Sequence, residues 1–381
     1  MTVLAGPTAP PEPVDWAMAG RLAARLAGTD LVHRSYAGAA VRADVTELVE
    51  LAAPVVEAET GLALHRPFPV ETLTRREWCE RNLVLTRRML APLTDRLAAR
   101  LARSPAAPVG RRVAAGELGL VLGYASQRVL GQYDPFRDTD TGHRSDPGAA
   151  VDGDGAGVGA MYVVAANVVA TEQRLGLPSR AFRLWLVAHE LTHRAQFAGV
   201  PWLRDHFREL VERVVRALDL DPGAIVAAAG RALRYLRRAE PVPESGPLGV
   251  IVTDTQREAL EGIQALMALL EGHGNFVMRR VGAALVPGSE RIGAALAARR
   301  AAGGIQGLVA RLAGLEMKLR QYGLGERFWD TVTREAGDAA LRRPWAAPGW
   351  LPTLAELDDP RRWLRRVDSL SGPPAVPGPA R

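Results

Sequence analysis

The sequence predicts a mainly α-helical fold of the α+β class with a small β-sheet, and three observations support this. Apolar residues recur at three-to-four spacing along most of the chain, as in amphipathic helices. One stretch, MYVVAANVVA at Met161–Ala170, has the β-branched run of a strand. The proportions of hydrophobic (48%) and charged (24%) residues are those of a globular protein. We therefore expect packed helices with few strands.

Helices are expected along the first third of the chain. The apolar spacing indicates helices at Ala17–Leu26, Val41–Ala53 and Arg76–Leu101. Pro54 should end or kink the second of these, because proline lacks the N–H that a helix interior uses. The run Leu118–Gln132 fits a helix and a strand equally well, and both alternatives stay open.

The centre of the chain is expected to hold a loop, a strand and a well-defined helix. Tyr133–Ala160 is rich in Asp, Gly and Pro and should form a long loop. After the strand, Ser179 is the expected N-cap of a helix over Arg180–Ala198, which Gly199 would close.

A later helix is marked by its own start signal. Thr255 and Glu258 have the spacing of a capping box, and apolar residues continue to about Arg279. We expect helical structure up to roughly Arg342 and an irregular chain after it.

Several classes of protein are excluded by composition. No run of about 18 apolar residues occurs, so we expect no membrane-spanning helix. The N-terminus, MTVLAGPTAPPEPVDW, lacks the basic and apolar regions of a secretory signal. Cys79 is the only cysteine, which rules out an internal disulfide. These features predict a cytoplasmic protein without a membrane partner.

The net charge of +6 does not by itself indicate nucleic-acid binding. Lys318 is the only lysine, and scattered arginines supply the other positive charges, a pattern typical of a GC-rich genome. Short basic clusters such as Arg237-Arg238 are more often solvated helix faces than binding patches. We expect no specific nucleic-acid partner.

The helix LWLVAHELTHRAQF contains the pattern H-E-x-x-H at His189–His193. Residues four apart lie on one face of a helix, so His189 and His193 can reach the same tetrahedral zinc ion. Glu190 would lie close enough to take a proton from water, as a general base does. The alternative is a pair of surface histidines on an ordinary helix. It is disfavoured because both histidines share a stripe with apolar residues.

Zinc needs a third protein ligand and an open position. The metzincin extension is absent, since positions 196 and 199 are Gln and Gly. Asp205, His206 and Glu209 are close in sequence to the motif, and the chain would first have to turn back. These three residues are therefore not favoured as the third ligand, although His206 remains a fallback.

Glu271, in LLEGHGNFVM, is the preferred third ligand. It lies on the same helix face as Met267 and Met278, where a carboxylate needs a positive partner. The alternative is a glutamate at a helix end that points to solvent. His273 lies about 200° round the helix from Glu271, so both cannot bind one metal ion on a regular helix, and we expect His273 to pack or to support a ligand.

The chain resembles the actinobacterial zinc-dependent metalloproteases of the zincin-2 group, in the branch associated with deazaflavin (factor-420) biosynthesis. The resemblance rests on VDW near Val14, AHELTHRAQF followed by PWLR, LLEGHGNFVM, EMKLRQYGLGERF and LPTLAELDDPRRWLRR, and it covers roughly residues 13–366. One departure is Gly274-Asn275, where the resemblance leads us to expect Ala and an acidic residue.

The resemblance implies a zincin-like helical fold with a small β-sheet beside the active-site helix. It also implies Zn²⁺ bound by His189, His193 and Glu271, with Glu190 as the catalytic base. The expected function is a zinc metallopeptidase, a hydrolase that acts on a peptide or protein substrate. The alternative is a non-catalytic zinc-holding scaffold or regulatory protein. The deazaflavin association specifies no reaction.

Two further details complete the functional prediction. An extended peptide is expected to pair with the strand at Met161–Ala170. A donor that stabilises the oxyanion is expected among Tyr322, His206 and His273, which the sequence does not rank.

The predicted organisation has four parts. They are a disordered N-terminus at 1–12, an N-terminal helical region at 13–115, a zincin-like catalytic region at 116–370 and a disordered tail at 371–381. The chain contains no internal repeat, and the sequence does not specify its oligomeric state.

Overall fold

The structure is a computed structural model, and it describes residues 12–101, 107–137, 159–217, 254–286, 288–301 and 318–370. The α-helices within these ranges are α1 (Trp16–Ala27), α2 (Tyr36–Thr60), α3 (Arg75–Leu101), α4 (Ala107–Ser126), α5 (Ala165–Leu175), α6 (Ser179–Gly199), α7 (Leu203–Ala217), α8 (Asp254–Leu285), α9 (Ser289–Ala301), α10 (Lys318–Ala336), α11 (Leu354–Asp358) and α12 (Pro360–Asp368). The strands are β1 (Val70–Leu73), β2 (Gly131–Asp134) and β3 (Ala160–Val164). The predicted fold class, mainly α with a small sheet, is confirmed.

The chain divides into two compact units, and the first contains α1, α3 and α4. In this unit α4 lies very close to α1, because a Cβ at Gly123 would be 2.5 Å from the Leu26 side chain. The Cys79 thiol is buried and contacts the carbonyls of Ala23 and Leu122. This unit is therefore a small helical bundle with its own core.

The second unit comprises residues 31–74 and 129–381 and is built around α6. Helices α2 and α8 both pack on α6, and the buried residues of all three belong to one continuous core. Near the start of α6, the buried Arg183 donates hydrogen bonds to Glu172 of α5 and to Asp44 of α2. These charge-assisted bonds fix the orientation of α6 in the core. The predicted boundary between a helical region at 13–115 and a catalytic region at 116–370 stays a prediction.

The three strands form one sheet in the order β1-β3-β2, which lies beside α6. Strand β3 pairs in parallel with β1, with Val70 opposite Met161, and antiparallel with β2, with Tyr133 opposite Met161. Every residue of β3 is buried. The expected pairing of a peptide with this strand is therefore wrong, because β1 and β2 already occupy both of its edges.

The strand predicted at Met161–Ala170 is too long. It ends at Val164, and the following residues form α5. Because these residues are buried whether they form a strand or a helix, the apolar run did not distinguish the two. The ambiguous run Leu118–Gln132 divides, with α4 up to Ser126 and β2 from Gly131.

Helix boundaries differ from the expectations at several points. Pro54 lies inside α2, which continues to Thr60. Pro54 itself is exposed, and the buried residues before and after it, Ala53 and Val56, keep the helix packed on the core and offset the lost hydrogen bond. Ser179 is the first residue of α6 and not its N-cap, which is Pro178 without a side-chain cap. The chain after Arg342 is not irregular, since it contains 3₁₀ turns and the short helices α11 and α12.

Some predictions fall outside the described residues. These are the disorder expected at both ends, apart from Glu12, and most of the long loop expected at Tyr133–Ala160. None of the helices in the described ranges combines the length and the apolar composition that a bilayer-spanning segment needs.

Helices α8 and α10 cross with their backbones in contact. A Cβ at Gly325 of α10 would lie 2.0 Å from the carbonyl oxygen of Ala268 in α8, and a Cβ at Gly272 would lie 2.3 Å from the Gly325 backbone. Such distances are too short for any side chain, so only glycine permits this crossing. In contrast, a Cβ at Gly323, on the same helix, meets nothing within 4 Å among the described residues.

We expect Gly325→Ala to lower the free energy of unfolding by about 2 kcal/mol or more, because the methyl group must push the two helices apart. Gly323→Ala is the matched control and should raise stability by up to about 1 kcal/mol, since alanine favours a helix. Urea denaturation of both variants checks this expectation. Equal stability of the two variants would mean that the crossing is looser than the structure indicates.

Candidate metal centre

Helix α6 places His189 and His193 on one face, one turn apart. Their Nε2 atoms are 3.2 Å apart, and the two imidazole planes are nearly perpendicular. The Trp185 ring stacks on His189 with a centroid distance of 5.3 Å and an interplanar angle of 7°. The two imidazoles therefore converge on one point with the orientation of His189 restrained by stacking.

Glu271 reaches the same point from α8. Its Oε2 atom lies 3.9 Å from Nε2 of His189 and 4.0 Å from Nε2 of His193. The three residues form the group of possible metal ligands found among the described residues, with all their ligand atoms within 4.8 Å of one another. The close approach depends on Gly274, because a Cβ there would lie 2.9 Å from Cε1 of His189.

Gln196, one turn after His193, orients this histidine. Its amide Nε2 donates to the Leu270 carbonyl oxygen, 3.0 Å away, and lies 3.0 Å from Nδ1 of His273. The carbonyl can only accept, so the other end of the amide, Oε1, must face Nδ1 of His193, also at 3.0 Å. His193 then carries its proton on Nδ1, which leaves the Nε2 lone pair directed at Glu271 and His189.

His273 supports Gln196 from the interior. Its ring lies 4.6 Å from the Trp329 ring and 5.3 Å from the Trp345 ring, measured between centroids. Burial, together with the nearby His193, lowers the pKa of the His273 imidazole to about 3. A neutral His273 accepts a hydrogen bond at Nδ1 from the Gln196 amide. The tautomers of His273 and His193 and the orientation of the Gln196 amide between them are therefore determined.

Glu190 is buried beside the three residues. The pKa of its carboxyl is raised to about 7, chiefly by burial and also by the nearby Glu271, while His193 and the donating backbone N–H of Tyr133 act in the opposite direction. Strand β2 lies directly against this side chain, because a Cβ at Gly131 would be 2.7 Å from Oε1 of Glu190. Glu190 is thus held in one position, with a proton affinity suited to exchange near neutral pH.

The structure separates the other predicted residues from this group. His206, in α7, packs edge-on against Trp202, and burial lowers the pKa of its imidazole. It does not belong to the group of possible ligands in the described part of the chain, and neither do Asp205 and Glu209. Tyr322 lies in α10, and its side chain is outside the described residues.

Sequence reasoning did not identify the residues that position the group. Two of them, Gly131 and Gly274, act because they lack a side chain, and Tyr133 acts through its backbone N–H. Neither effect can be recognised from the type of residue in the sequence. Gln196 entered the sequence analysis only as a departure from the metzincin extension, because its hydrogen bonds to α8 require the tertiary structure. The available signal was its position three residues after His193, where helix neighbours meet.

The residues present fit a zinc ion. Tetrahedral zinc binds imidazole nitrogen at about 2.0–2.1 Å, which puts neighbouring ligand atoms about 3.4 Å apart. The two imidazole nitrogens meet this spacing, and the carboxylate needs to approach by about half an ångström. Two imidazoles and one carboxylate leave one tetrahedral position open, as in catalytic zinc sites.

The fold and this group of residues together define a mainly helical protein with a candidate metal site of two histidines and one glutamate. The chain belongs to the zincin-like metallopeptidase family, whose model matches residues 14–364. Resemblance to this family, expected from the motifs, is thereby confirmed over nearly the whole chain.

One solved structure extends the comparison. The chain is similar, with 30% sequence identity and a TM-score of 0.65, to the crystal structure of "a putative hydrolase with a novel fold from Chloroflexus aurantiacus". The similarity covers 94% of this chain and 100% of that one. None of the curated proteins matches the chain. The comparisons indicate a hydrolase family with a metal requirement, typically zinc.

We expect the metal-free protein to hold His193 as the Nδ1–H tautomer, which ¹⁵N NMR of the histidine side chains detects. Gln196→Met removes both polar ends of the amide at similar volume and should let His193 exchange between tautomers. Thr192→Val is the control, since the Thr192 hydroxyl donates only to the Ala188 carbonyl. A parent protein with a mixed His193 tautomer would contradict the role of Gln196.

Proposed function

We propose that the protein is a zinc metallopeptidase in which His189, His193 and Glu271 bind the ion and Glu190 is the general base. The observation that carries this proposal is the convergence of three ligand atoms, 3.2–4.0 Å apart, beside a buried carboxylate that is not one of them. Zinc, when bound, supplies Lewis acidity, which activates water and polarises a carbonyl.

Side chains of the protein would carry out the proton transfers of the reaction. Glu190 accepts it from the attacking water and passes it to the departing amine, the usual sequence for a general base in hydrolysis. Tyr133 donates one hydrogen bond to the carboxylate, which leaves other lone pairs free to accept the proton. Gly131 keeps β2 in contact with Glu190 and so excludes water from that side.

Strand β2 is the best candidate to align a peptide substrate. It pairs with β3 along one edge only, among the described residues, and it is the strand that contacts the proposed base. An extended peptide that pairs with the free edge of β2 would run past Glu190. This assignment replaces the one made from sequence, which used β3.

Three finer predictions are retained here. The branch associated with deazaflavin biosynthesis stays a prediction, as does the cytoplasmic location. Tyr322, His206 and His273 stay the predicted oxyanion donors, although His273 already contacts Gln196 and two tryptophan rings in the interior. A donor must lie next to the scissile carbonyl, so this packing disfavours His273.

We expect Glu190→Gln to keep its zinc content and thermal stability and to lose peptidase activity by about two to four orders of magnitude. Glutamine has the same shape as glutamate and retains the Tyr133 contact, but it cannot take a proton. The measurements are elemental analysis, thermal unfolding and turnover of a fluorogenic peptide library, with a zinc chelator as a control for contaminating proteases.

Two results would separate the alternatives. Activity that survives Glu190→Gln would contradict the assignment of the base. A parent protein that holds zinc and cleaves none of the peptides would favour the non-catalytic scaffold.

A further inference from the structure

A cavity of about 440 Å³ lies in the second unit, between α8, α9 and α10. Its size falls within the range of about 300–1,000 Å³ that ligand sites occupy. Part of its wall is apolar, formed by Trp185, Met278 and three small residues of α9, which are Gly293, Ala294 and Ala297. At Gly293 nothing lies within 4 Å of where a Cβ would be, so α9 leaves this space open.

This cavity adjoins the proposed zinc site through two residues. Trp185 lines the cavity and stacks on the His189 imidazole. Asn275 also lines it and directly follows Gly274, where a Cβ would lie 2.9 Å from Cε1 of the same imidazole. The cavity is therefore near enough to the proposed zinc site for one extended molecule to occupy both.

The Asn275 side chain points to a polar ligand. It is only 8% exposed, it lines the cavity, and its amide has no hydrogen-bond partner in the part of the chain that the structure describes. The polar atoms of this amide are not shut off from solvent, so a bound polar group would take the place of water in the cavity.

The charges around the cavity indicate whether a bound group should be positively or negatively charged. Glu290 and Glu326 line it, and neither forms an ion pair with another described residue. Arg279 also lines it, but its guanidinium lies 2.6 Å from the Asp330 carboxylate, which compensates the positive charge. Two glutamates and one arginine line the cavity, and Asp330, which lies outside the lining, compensates the arginine. The remaining charge is negative, so the cavity favours a cation.

We propose that this cavity is a substrate subsite for an arginine or lysine side chain of a peptide. The aliphatic stem would lie against Trp185 and Met278, and Glu290, Glu326 and Asn275 would bind the charged end. This inference rests on the proposed peptidase function, because the side chain would belong to the peptide bound at the zinc site.

The test compares two probes on the full chain. These are N-acetyl-arginine methylamide and N-acetyl-citrulline methylamide, which have the same shape and differ in charge. Dissociation constants come from NMR titration of the tryptophan indole signals, with the Trp185 signal assigned by Trp185→Phe. We expect the citrulline probe to bind about tenfold more weakly, the difference that two partly exposed charge contacts produce.

Three variants locate the binding. In Glu290→Gln/Glu326→Gln the two probes should bind within about twofold of each other, because the charge preference is gone. Glu258→Gln/Glu261→Gln is the matched control, since it removes two exposed charges elsewhere on α8 and should keep the tenfold preference. Gly293→Leu fills the cavity without backbone strain and should weaken both probes.

Each contrary outcome has a distinct meaning. Equal binding of the two probes to the parent, or a preference that survives loss of both carboxylates, would overturn the subsite. Tighter binding of spermidine than of the arginine probe would mean that the cavity serves free polyamines. Zinc content is measured on the same samples. An arginine preference in a protein that takes up no zinc would contradict the proposed function and leave the subsite in place.

Discussion

Helix α8 lies so close to α6 that a single methyl group at position 274 would collide with the His189 imidazole. This approach brings the Glu271 carboxylate within 4.0 Å of both histidines and lets Gln196 of α6 bond to the α8 backbone. Without it, the histidines on α6 would face each other with no third ligand. Gly274 of α8 is therefore a structural condition for this geometry, because a side chain there would displace the His189 imidazole, whereas Gly272 serves the separate crossing of α8 with α10.

Orientation in this site comes from neutral hydrogen bonds in the interior. His273 stays neutral because burial lowers the pKa of its imidazole, Gln196 is fixed between His273 and the Leu270 carbonyl, and His193 must then present its Nε2 lone pair. Outer hydrogen bonds of this kind raise metal affinity by holding the ligand ring in place. On the opposite side, β2 confines Glu190. The proposed base is therefore positioned by contact with β2, whereas the histidine ligands are positioned by contacts with α8.

The sequence predicted the part of this arrangement that lies within single helices. The i, i+4 spacing of His189 and His193 and the apolar stripe beside them follow from helix geometry alone. Glu271 could be proposed because a carboxylate on an apolar face needs a positive partner. The contacts of Gly131 and Gly274 could not be proposed, since they depend on which helix or strand lies opposite. The sequence did not show that both edges of β3 are already paired. Its neighbour β1 is a short strand with a weak sequence pattern, and it lies far from β3 along the chain.

The proposed zinc ion would be held between α6 and α8 by His189, His193 and Glu271. Anomalous X-ray diffraction at the zinc edge, on crystals of the parent, Glu271→Ala and Glu209→Ala, tests it most directly. We expect a zinc peak in the parent about 2.0–2.2 Å from both Nε2 atoms and the Glu271 carboxylate. The peak should be retained in Glu209→Ala and be lost or severely weakened in Glu271→Ala. A parent without zinc at this position, or a Glu271→Ala variant with an unchanged peak, would contradict it.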